Sequence, residues 1–189
     1  PPAATSALLP VYHRALAHDL PKPVAILNLG GVANITAIAA DGDITAFDTG
    51  MASGLIDNWM QTHSDRSFDE NGATAASGGV DEARLGQMLA DPAFTARALA
   101  RGLDHLPDRP AHIYVAGGGR HNATLMAMLA RDTGAIVRPV DDLGWDGDAL
   151  EAQGFAYMAV RHLKNLPISF PRTTGAPQPM TGGVLHAPA

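Results

Sequence analysis

The chain contains 189 residues, 46% of them hydrophobic, which is enough for one domain with a sizeable core. Its 13 basic and 19 acidic residues give a formal net charge of −6, so we expect neither a nucleic-acid nor a membrane partner. The absence of cysteine excludes disulfides, thiolate metal sites and cysteine nucleophiles. Without a run of about 18 apolar residues or a basic, apolar leader, the sequence is typical of a cytoplasmic protein.

The first quarter of the chain predicts one helix followed by a three-stranded meander. Apolar residues at helical spacing predict a helix over 7–20 that ends before Pro21. Short apolar runs separated by glycine-containing turns then predict antiparallel strands. These strands are expected at 24–29, 34–39 and 44–47, with turns at Gly30-Gly31 and Asp41-Gly42.

From residue 51 onward, the apolar pattern predicts helices alternating with strands. Helices are expected around Leu55 and at 80–89, 94–106, 122–131 and 148–164, a buried strand at 112–116 and a further strand at 136–140. The last helix is expected to bury Phe155, Met158, Ala159 and Leu163.

The element order βββαβαβα predicts an α/β fold, with a mixed sheet and helices on both faces. This order matches the ribonuclease H-like core. We expect that domain to span 24–166, after an N-terminal helix and linker at 1–23. The proline- and glycine-rich residues 167–189 predict an extended tail on the surface.

The first candidate site is the turn at Gly30 and Gly31. Two glycines let a ligand approach the backbone and permit positive φ, which can direct successive N–H groups at a phosphate. An ordinary tight hairpin explains the same residues, and the turn alone favours that interpretation. The flanking Asn28 and Asn34 shift the balance toward a polar site.

The second candidate is Asp48, which follows a predicted strand and precedes a helix. Open α/β sheets place reactive groups at this position, where a carboxylate acts as a general base or holds a metal. Aspartate is also strongly preferred as the N-cap of a helix. The local sequence leaves the two interpretations even.

The third candidate is the run Gly117, Gly118 and Gly119, between a buried strand and a helix. Such a backbone is open to a nucleotide, although close packing with Asn122 as helix cap is the structural alternative. The run is neither a Rossmann fingerprint nor a Walker A loop. Three glycines exceed what the connection needs, so we favour a binding function.

The last helix begins with two acidic residues. Asp148 is expected to cap it, and Glu151 to reach back as in a capping box, although Glu151 could instead face a ligand. The eight histidines show no metal-binding spacing, so no protein-built metal site is expected.

In this order, the segments resemble the C-terminal half of the bacterial anhydro-N-acetylmuramic acid kinases, sugar kinases of the actin, hexokinase and Hsp70 superfamily. The resemblance covers nearly the whole chain, and the ordered series is more specific than any single segment. The matching stretches are 28–36, 46–50, 55–57, 69–73, 116–122, 148–156, 173–176 and 182–183.

The resemblance implies that this lobe binds ATP and Mg²⁺ against a second, N-terminal lobe. Gly30 and Gly31 resemble the phosphate-binding turn of the family. Gly117 to Gly119, with Asn122, resemble its adenosine-binding motif. Kinases of this group are often dimers, so the resemblance also implies a homodimer.

The resemblance further implies an anhydro amino sugar as acceptor. Asp48 corresponds to the catalytic base and Glu151 to an acidic residue near the sugar, with Thr49 and Asn34 as further substrate-binding residues. In the implied reaction, water opens the 1,6-anhydro bridge while ATP phosphorylates the 6-oxygen. The product is N-acetylmuramic acid 6-phosphate, in cell-wall recycling.

Three departures from the family pattern leave other functions open. Met51-Ala52-Ser53 stands where the family usually has Pro-Gly-Asn or Pro-Ala-Asn, a family segment is absent between Phe94 and Thr95, and the N-terminal lobe is not among these residues. One lobe cannot enclose ATP or exclude water by itself. The alternatives are a non-catalytic lobe or remnant, and a sugar or acyl-phosphate kinase with another acceptor.

Overall fold

A computed structural model describes residues 8–79 and 100–186, centred on a five-stranded sheet. The strands are β1 (Val24–Leu29), β2 (Val32–Ile38), β3 (Ile44–Met51), β4 (His112–Ala116) and β5 (Ile136–Pro139). Their spatial order is β3-β2-β1-β4-β5. The first three strands form an antiparallel meander, whereas β4 runs parallel to β1 and β5 parallel to β4. This confirms the predicted mixed, ribonuclease H-like sheet.

Helices cover both faces of the sheet. The helices are α1 (Pro10–Leu16), α2 (Ser53–His63), α3 (Ala73–Ser77), α4 (Ala123–Thr133), α5 (Leu150–Leu163) and α6 (Pro171–Thr174). Side chains of α1 and α5 pack on one face, and those of α4 pack on the other. The helix predicted at 80–89 lies outside the described residues, as does much of 94–106, of which Leu103–His105 forms a 3₁₀ turn. Along the described ranges, no helix combines the length and apolar character needed to cross a bilayer.

Strand β1 lies at the centre of the core and is covered on both faces. Ala25 and Leu27 pack on the side of α4, and Val24 and Ile26 on the side of α1 and α5; all four are fully buried. A central strand between two helical layers has no solvent-facing side, so β1 is apolar without alternation except at Asn28, near its end.

The helix and strand ends differ from those predicted. Helix α1 begins at Pro10, where a missing N–H costs nothing, and ends at Leu16 rather than at residue 20. The Lys22 ammonium then donates to three backbone carbonyls of a turn, at Ala17, His18 and Leu20. Strands β2 and β3 pair as far as Val32 and Met51, so both extend further toward the site than the apolar runs indicate.

The prediction that α5 buries Phe155 and Leu163 is wrong. These side chains are 58% and 66% exposed, and Ala159 is also exposed. The buried positions of α5 are Leu150, Gly154 and Met158. Gly154 brings α5 against Leu9 and Tyr12 at the start of α1, so the contact with α1 selects the buried side of the helix.

Within residues 166–186, α6 is the one helix, and it contacts β3. An isolated antiparallel bridge joins Ser169 to Met180, and His162 Nδ1 lies 2.8 Å from the Gly182 carbonyl oxygen. These contacts hold the segment against the domain surface.

Candidate functional site

Three polar residues form a row across the sheet, at the edge where β1, β3 and β4 end. Asn28 of β1 pairs with Asn34 of β2, and Asn34 pairs with Asp48 of β3. Residues directly opposite in antiparallel strands point to the same face. Asn28 borders a cavity with residues of α5, so the row lies on the α1 and α5 face. Asp48 is an exposed residue at this edge.

The helix-cap alternative for Asp48 is wrong. Strand β3 continues to Met51, and α2 begins only at Ser53, after the N-cap residue Ala52. Asp48 therefore lies within the strand, too far from the first turn of α2 to cap it.

Thr49 is separated from this row by a β-bulge. Ala33 pairs with Gly50 and Asn34 with Asp48, so Thr49 is an extra residue in β3. The Thr49 hydroxyl donates to the Ala33 carbonyl oxygen at 3.2 Å, and its methyl group and the Phe47 ring both lie beside Gly102. The structure thus brings Asp48 and Asn34 together but turns Thr49 toward the opposite face.

The Gly30-Gly31 turn is anchored to the start of α2. The Gly31 and Gly30 carbonyl oxygens accept hydrogen bonds from the N–H groups of Ala52 and Ser53, each at 3.0 Å. Neither glycine has a positive φ, so the left-handed conformation that glycine permits is not used here. A Cβ at Gly31 would meet no atom of the described residues within 4 Å. The fold therefore does not require glycine at residue 31. A ligand held against the backbone would require it, because a side chain would occupy the same space.

The three glycines after β4 have different structural roles. Gly117 has φ +78°, and a Cβ there would lie 2.5 Å from the Asn28 side-chain oxygen. A Cβ at Gly119 would lie 2.5 Å from Leu29 Cβ, so packing requires both glycines. Gly118 is exposed, and a Cβ there would have no neighbour within 4 Å in the described part of the chain. The packing interpretation thus applies to Gly117 and Gly119, and the binding interpretation to Gly118.

Asn122 caps helix α4. Its side-chain oxygen accepts the N–H of Leu125 at 2.9 Å, which satisfies one backbone donor of the first turn. Gly72 packs directly against this side chain, and the Thr124 hydroxyl donates to the Gly72 carbonyl oxygen at 3.1 Å. The structural alternative, Asn122 as helix cap, is confirmed, and the favoured contact with ATP stays a prediction.

Arg120 holds the glycine run in place, a role that the sequence analysis missed. Its side chain is only 2% exposed. Nε donates to Asp141 at 2.9 Å, and Nη1 donates to Asp148 at 2.8 Å and to the Gly117 carbonyl oxygen at 3.0 Å. The hydrogen bond and charge of Arg120 lower the pKa of Asp148 below its ordinary value. An arginine directly after three glycines was the available signal, but its partners are 21 and 28 residues away.

The expected caps at the start of α5 are wrong. The N-cap residue is Ala149, and Asp148 is ion-paired to Arg120 instead. Asp146 accepts the N–H groups of Asp148 and Ala149 at 3.0 and 3.1 Å, which closes the turn before the helix. Glu151 is the second helical residue, one position too early for a capping box, and its side chain is exposed.

Two cavities flank Gly118. The larger, about 420 Å³, lies toward α2 and is of a size typical of small-molecule sites. The smaller, about 190 Å³, lies toward α1 and α5, and includes Glu151 and Asn28. Residues that line the larger cavity include Ser53, Asp57, Phe68, Gly118, Gly119 and Asn122; those of the smaller include His13, Asn28, Gly117, Gly118, Asp148 and Glu151. The structure therefore brings Glu151 and the glycine run together, beside the Asn28 end of the polar row.

The match to a known protein family covers almost the entire chain. The profile described as "Anhydro-N-acetylmuramic acid kinase" matches residues 4–100 and 93–188. The chain belongs to the anhydro-N-acetylmuramic acid kinase family. The two matches overlap at 93–100.

Curated members of the anhydro-N-acetylmuramic acid kinase family are similar over nearly all of this chain. The relative from Rhizorhabdus wittichii is 50% identical, over 96% of this chain and 59% of the relative. Relatives from Acidiphilium cryptum and Zymomonas mobilis are 42% and 43% identical, over 96% and 95% of this chain and 60% and 58% of their own lengths. The chain thus spans about three fifths of the relatives that it matches.

Two solved structures share the fold with this family member at low sequence identity. One is the activator of the 2-hydroxyisocaproyl-CoA dehydratase from Clostridium difficile, with a TM-score of 0.51 and 14% identity, covering 83% of this chain and 68% of that protein. The other is a ROK family protein from Streptococcus pneumoniae, with a TM-score of 0.50 and 14% identity, covering 84% and 65%. They support the fold assignment alone.

Proposed function

We propose that this chain is the C-terminal lobe of a kinase that uses ATP and Mg²⁺ to convert 1,6-anhydro-N-acetylmuramic acid into N-acetylmuramic acid 6-phosphate in cell-wall recycling. The observation that carries the proposal is the row formed by Asn28, Asn34 and exposed Asp48. This row lies at the same sheet edge as two glycines, Gly31 and Gly118, whose Cβ positions are open. The relatives named for this reaction support the choice of acceptor.

Asp48 is proposed as the general base. Its carboxylate takes a proton from a water molecule as the water oxygen attacks the anomeric carbon. The bond from that carbon to the 6-oxygen breaks, and the 6-oxygen takes the γ-phosphoryl group of ATP, leaving ADP. Asn34, the neighbour of Asp48 across the strands, is proposed to hydrogen-bond the sugar or the water.

The nucleotide is proposed to lie against Gly31 and Gly118, with its nucleoside in the larger cavity. The open Cβ positions at these glycines fit a phosphate chain held against the backbone. The described residues contain no group of three His, Asp or Glu that could hold a metal. Mg²⁺ would accordingly be held chiefly by phosphate oxygens and water. Asp57 and Asp69 line the larger cavity, and Asp69 already accepts the N–H groups of Thr74 and Ala75, so Asp57 is the proposed carboxylate ligand. When bound, it neutralises charge on the transferring phosphoryl group.

The proposed site needs a second lobe, because this lobe supplies one wall of the cleft and exclusion of water requires two. The greater length of the relatives supports an N-terminal lobe. The ATP requirement supports a cytoplasmic location. The homodimer stays a prediction that sedimentation velocity tests, with twice the monomer mass of 19.6 kDa expected.

Nucleotide binding by this chain tests the placement of ATP. Gly31→Ala and Gly118→Ala should each weaken the binding of ADP about tenfold or more in calorimetric titration, because a methyl group would occupy the phosphate position. Gly79→Ala is the matched control, since its Cβ would also meet no described atom within 4 Å and residue 79 lines neither cavity. Equal ADP affinity in all three variants would contradict the placement.

A panel of acceptors separates the alternative functions. This chain, mixed with the N-terminal part of the R. wittichii relative, ATP and Mg²⁺, should phosphorylate 1,6-anhydro-N-acetylmuramic acid in preference to simple hexoses or carboxylic acids. Preference for another acceptor would favour a different sugar or acyl-phosphate kinase, and no phosphorylated product from any acceptor would favour a non-catalytic remnant.

A further inference from the structure

His13 is a buried polar residue to which the proposed reaction gives no role. The residue lies in α1, is 3% exposed, and packs on the sheet face that carries the polar row. Its ring nitrogen Nδ1 lies 2.9 Å from Thr36 Oγ1. A buried imidazole costs free energy unless its polar atoms are satisfied, so the second ring nitrogen requires an explanation.

The second nitrogen, Nε2, has no hydrogen-bond partner among the described residues. Within those residues, every side-chain nitrogen or oxygen that is fully buried does have a partner. Nε2 therefore keeps contact with accessible space, and His13 is one of the residues that line the 190 Å³ cavity. The ring thus bridges Thr36 on one side and the cavity on the other.

The strand register places His13 close to the polar row. Thr36 lies two residues from Asn34 in β2, so both side chains point to the same face. Same-face neighbours along a strand are about 7 Å apart. The Thr36 hydroxyl therefore holds the His13 ring at a position two residues along β2 from Asn34, within reach of a molecule that contacts the polar row.

The chemistry around the cavity fits hydroxyl and amide groups. Burial lowers the pKa of His13 to about 4, so the ring is neutral near pH 7 and has one donor and one acceptor nitrogen. The Asn28 amide and the Glu151 carboxylate also border the cavity. The Arg120 guanidinium is ion-paired with Asp141 and Asp148, so the polar groups that line the smaller cavity are neutral or acidic. Such groups suit a sugar better than a phosphate.

We propose that His13 Nε2 hydrogen-bonds the sugar acceptor in the smaller cavity and orients it toward Asp48, together with Glu151 and Asn28. The inference rests on the proposed function, which supplies the identity of the acceptor. His13 is a sugar-contacting residue in this account, and the proton of the attacking water goes to Asp48.

Nuclear magnetic resonance of the chain, labelled with ¹⁵N in histidine side chains and backbone amides, tests the contact directly. Addition of 1,6-anhydro-N-acetylmuramic acid should shift the Nε2 resonance of His13, while exposed His18 should not respond. Sugar-induced shifts elsewhere without a response of His13 would overturn the inference alone. A response to ADP but none to the sugar would also overturn it, and no response to either ligand would contradict the proposed function itself.

Two substitutions separate the two ring nitrogens. The amide of His13→Asn can replace Nδ1 toward Thr36 but not Nε2, whereas the amide of His13→Gln can replace Nε2. We expect His13→Asn to weaken sugar binding about tenfold and His13→Gln by less than about threefold, with ADP affinity unchanged in both. Equal weakening by both variants would show that the ring only fills space in the core, and the spectra of the unsubstituted chain decide the question if either variant does not fold.

Discussion

Single side chains in this lobe divide between holding the backbone and facing the proposed substrates. Arg120 is almost fully buried, yet its two carboxylate partners, Asp141 and Asp148, are 47% and 77% exposed on their side chains. It joins the glycine run to the start of α5, which fixes the wall shared by Gly118 and Glu151. The Asp48 side chain is exposed at the edge of the sheet, so we expect its substitution to affect chemistry more than folding.

Asp48→Asn should abolish turnover in the complete kinase while leaving ADP affinity within about twofold. The amide cannot accept the proton of the attacking water, and general-base catalysis contributes about 10²- to 10⁴-fold in rate. Asp43→Asn, at an exposed turn residue, is the matched control and should retain full turnover. Steady-state kinetics with calorimetry measure both quantities, and an Asp48→Asn enzyme with normal turnover would contradict the assignment.

His13 should make the stability of the lobe depend on pH. Below about pH 6.5 the unfolded imidazole binds a proton, whereas the buried ring stays neutral until about pH 4. The free energy of unfolding should therefore fall as the pH is lowered through this range, by up to about 3 kcal/mol at 1.36 kcal/mol per pKa unit.

Urea unfolding at pH 7 and pH 5 measures this effect of His13. His13→Asn should remove part of the loss seen in the unsubstituted protein, while His18→Asn, at an exposed site, should keep all of it. Identical pH dependence in all three proteins would show that the His13 ring titrates normally in the folded state.

At the scale of elements, the sheet follows from its sequence more closely than the site does. The apolar runs of β1 and β4 identify strands covered on both faces, and glycine-containing turns separate the strands of the β1–β3 meander. The bulge at Thr49 cannot be predicted from apolar runs and turns, because the extra residue depends on how β2 pairs with β3 rather than on the residue type. The buried side of α5 cannot be predicted in this way either, since it is set by the close contact of Gly154 with residues at the start of α1.

The turn after β4 should show different costs at neighbouring glycines. Gly117→Ala combines a positive φ with a Cβ placed 2.5 Å from Asn28 and 2.8 Å from the Leu29 carbonyl oxygen, and should lower the free energy of unfolding by about 3 kcal/mol. Gly118→Ala should change it by less than about 0.5 kcal/mol. Chemical denaturation measures both values, and equal costs would contradict the division of the run into packed and open residues.

At the scale of the whole molecule, the predicted polar residues converge because β1, β3 and β4 end at one edge of the sheet. Sequence order alone indicated that Asp48, Gly118 and Glu151 each follow or begin an element at this edge, and the register then places Asn34 beside Asp48. Arg120 and His13 could not be assigned from local sequence, because their partners lie more than 20 residues away. Three-dimensional packing supplied those contacts.

The central claim is that this lobe forms one wall of a cleft in which phosphoryl transfer and opening of the anhydro ring are a single reaction. Mass spectrometry of the sugar product tests it most directly, with this chain, the N-terminal part of the R. wittichii relative, ATP, Mg²⁺ and 1,6-anhydro-N-acetylmuramic acid. The account predicts a product that has gained both a phosphoryl group and one water, and that is lost with Asp48→Asn. A phosphorylated sugar that keeps its anhydro ring, or undiminished product from the Asp48→Asn protein, would contradict it.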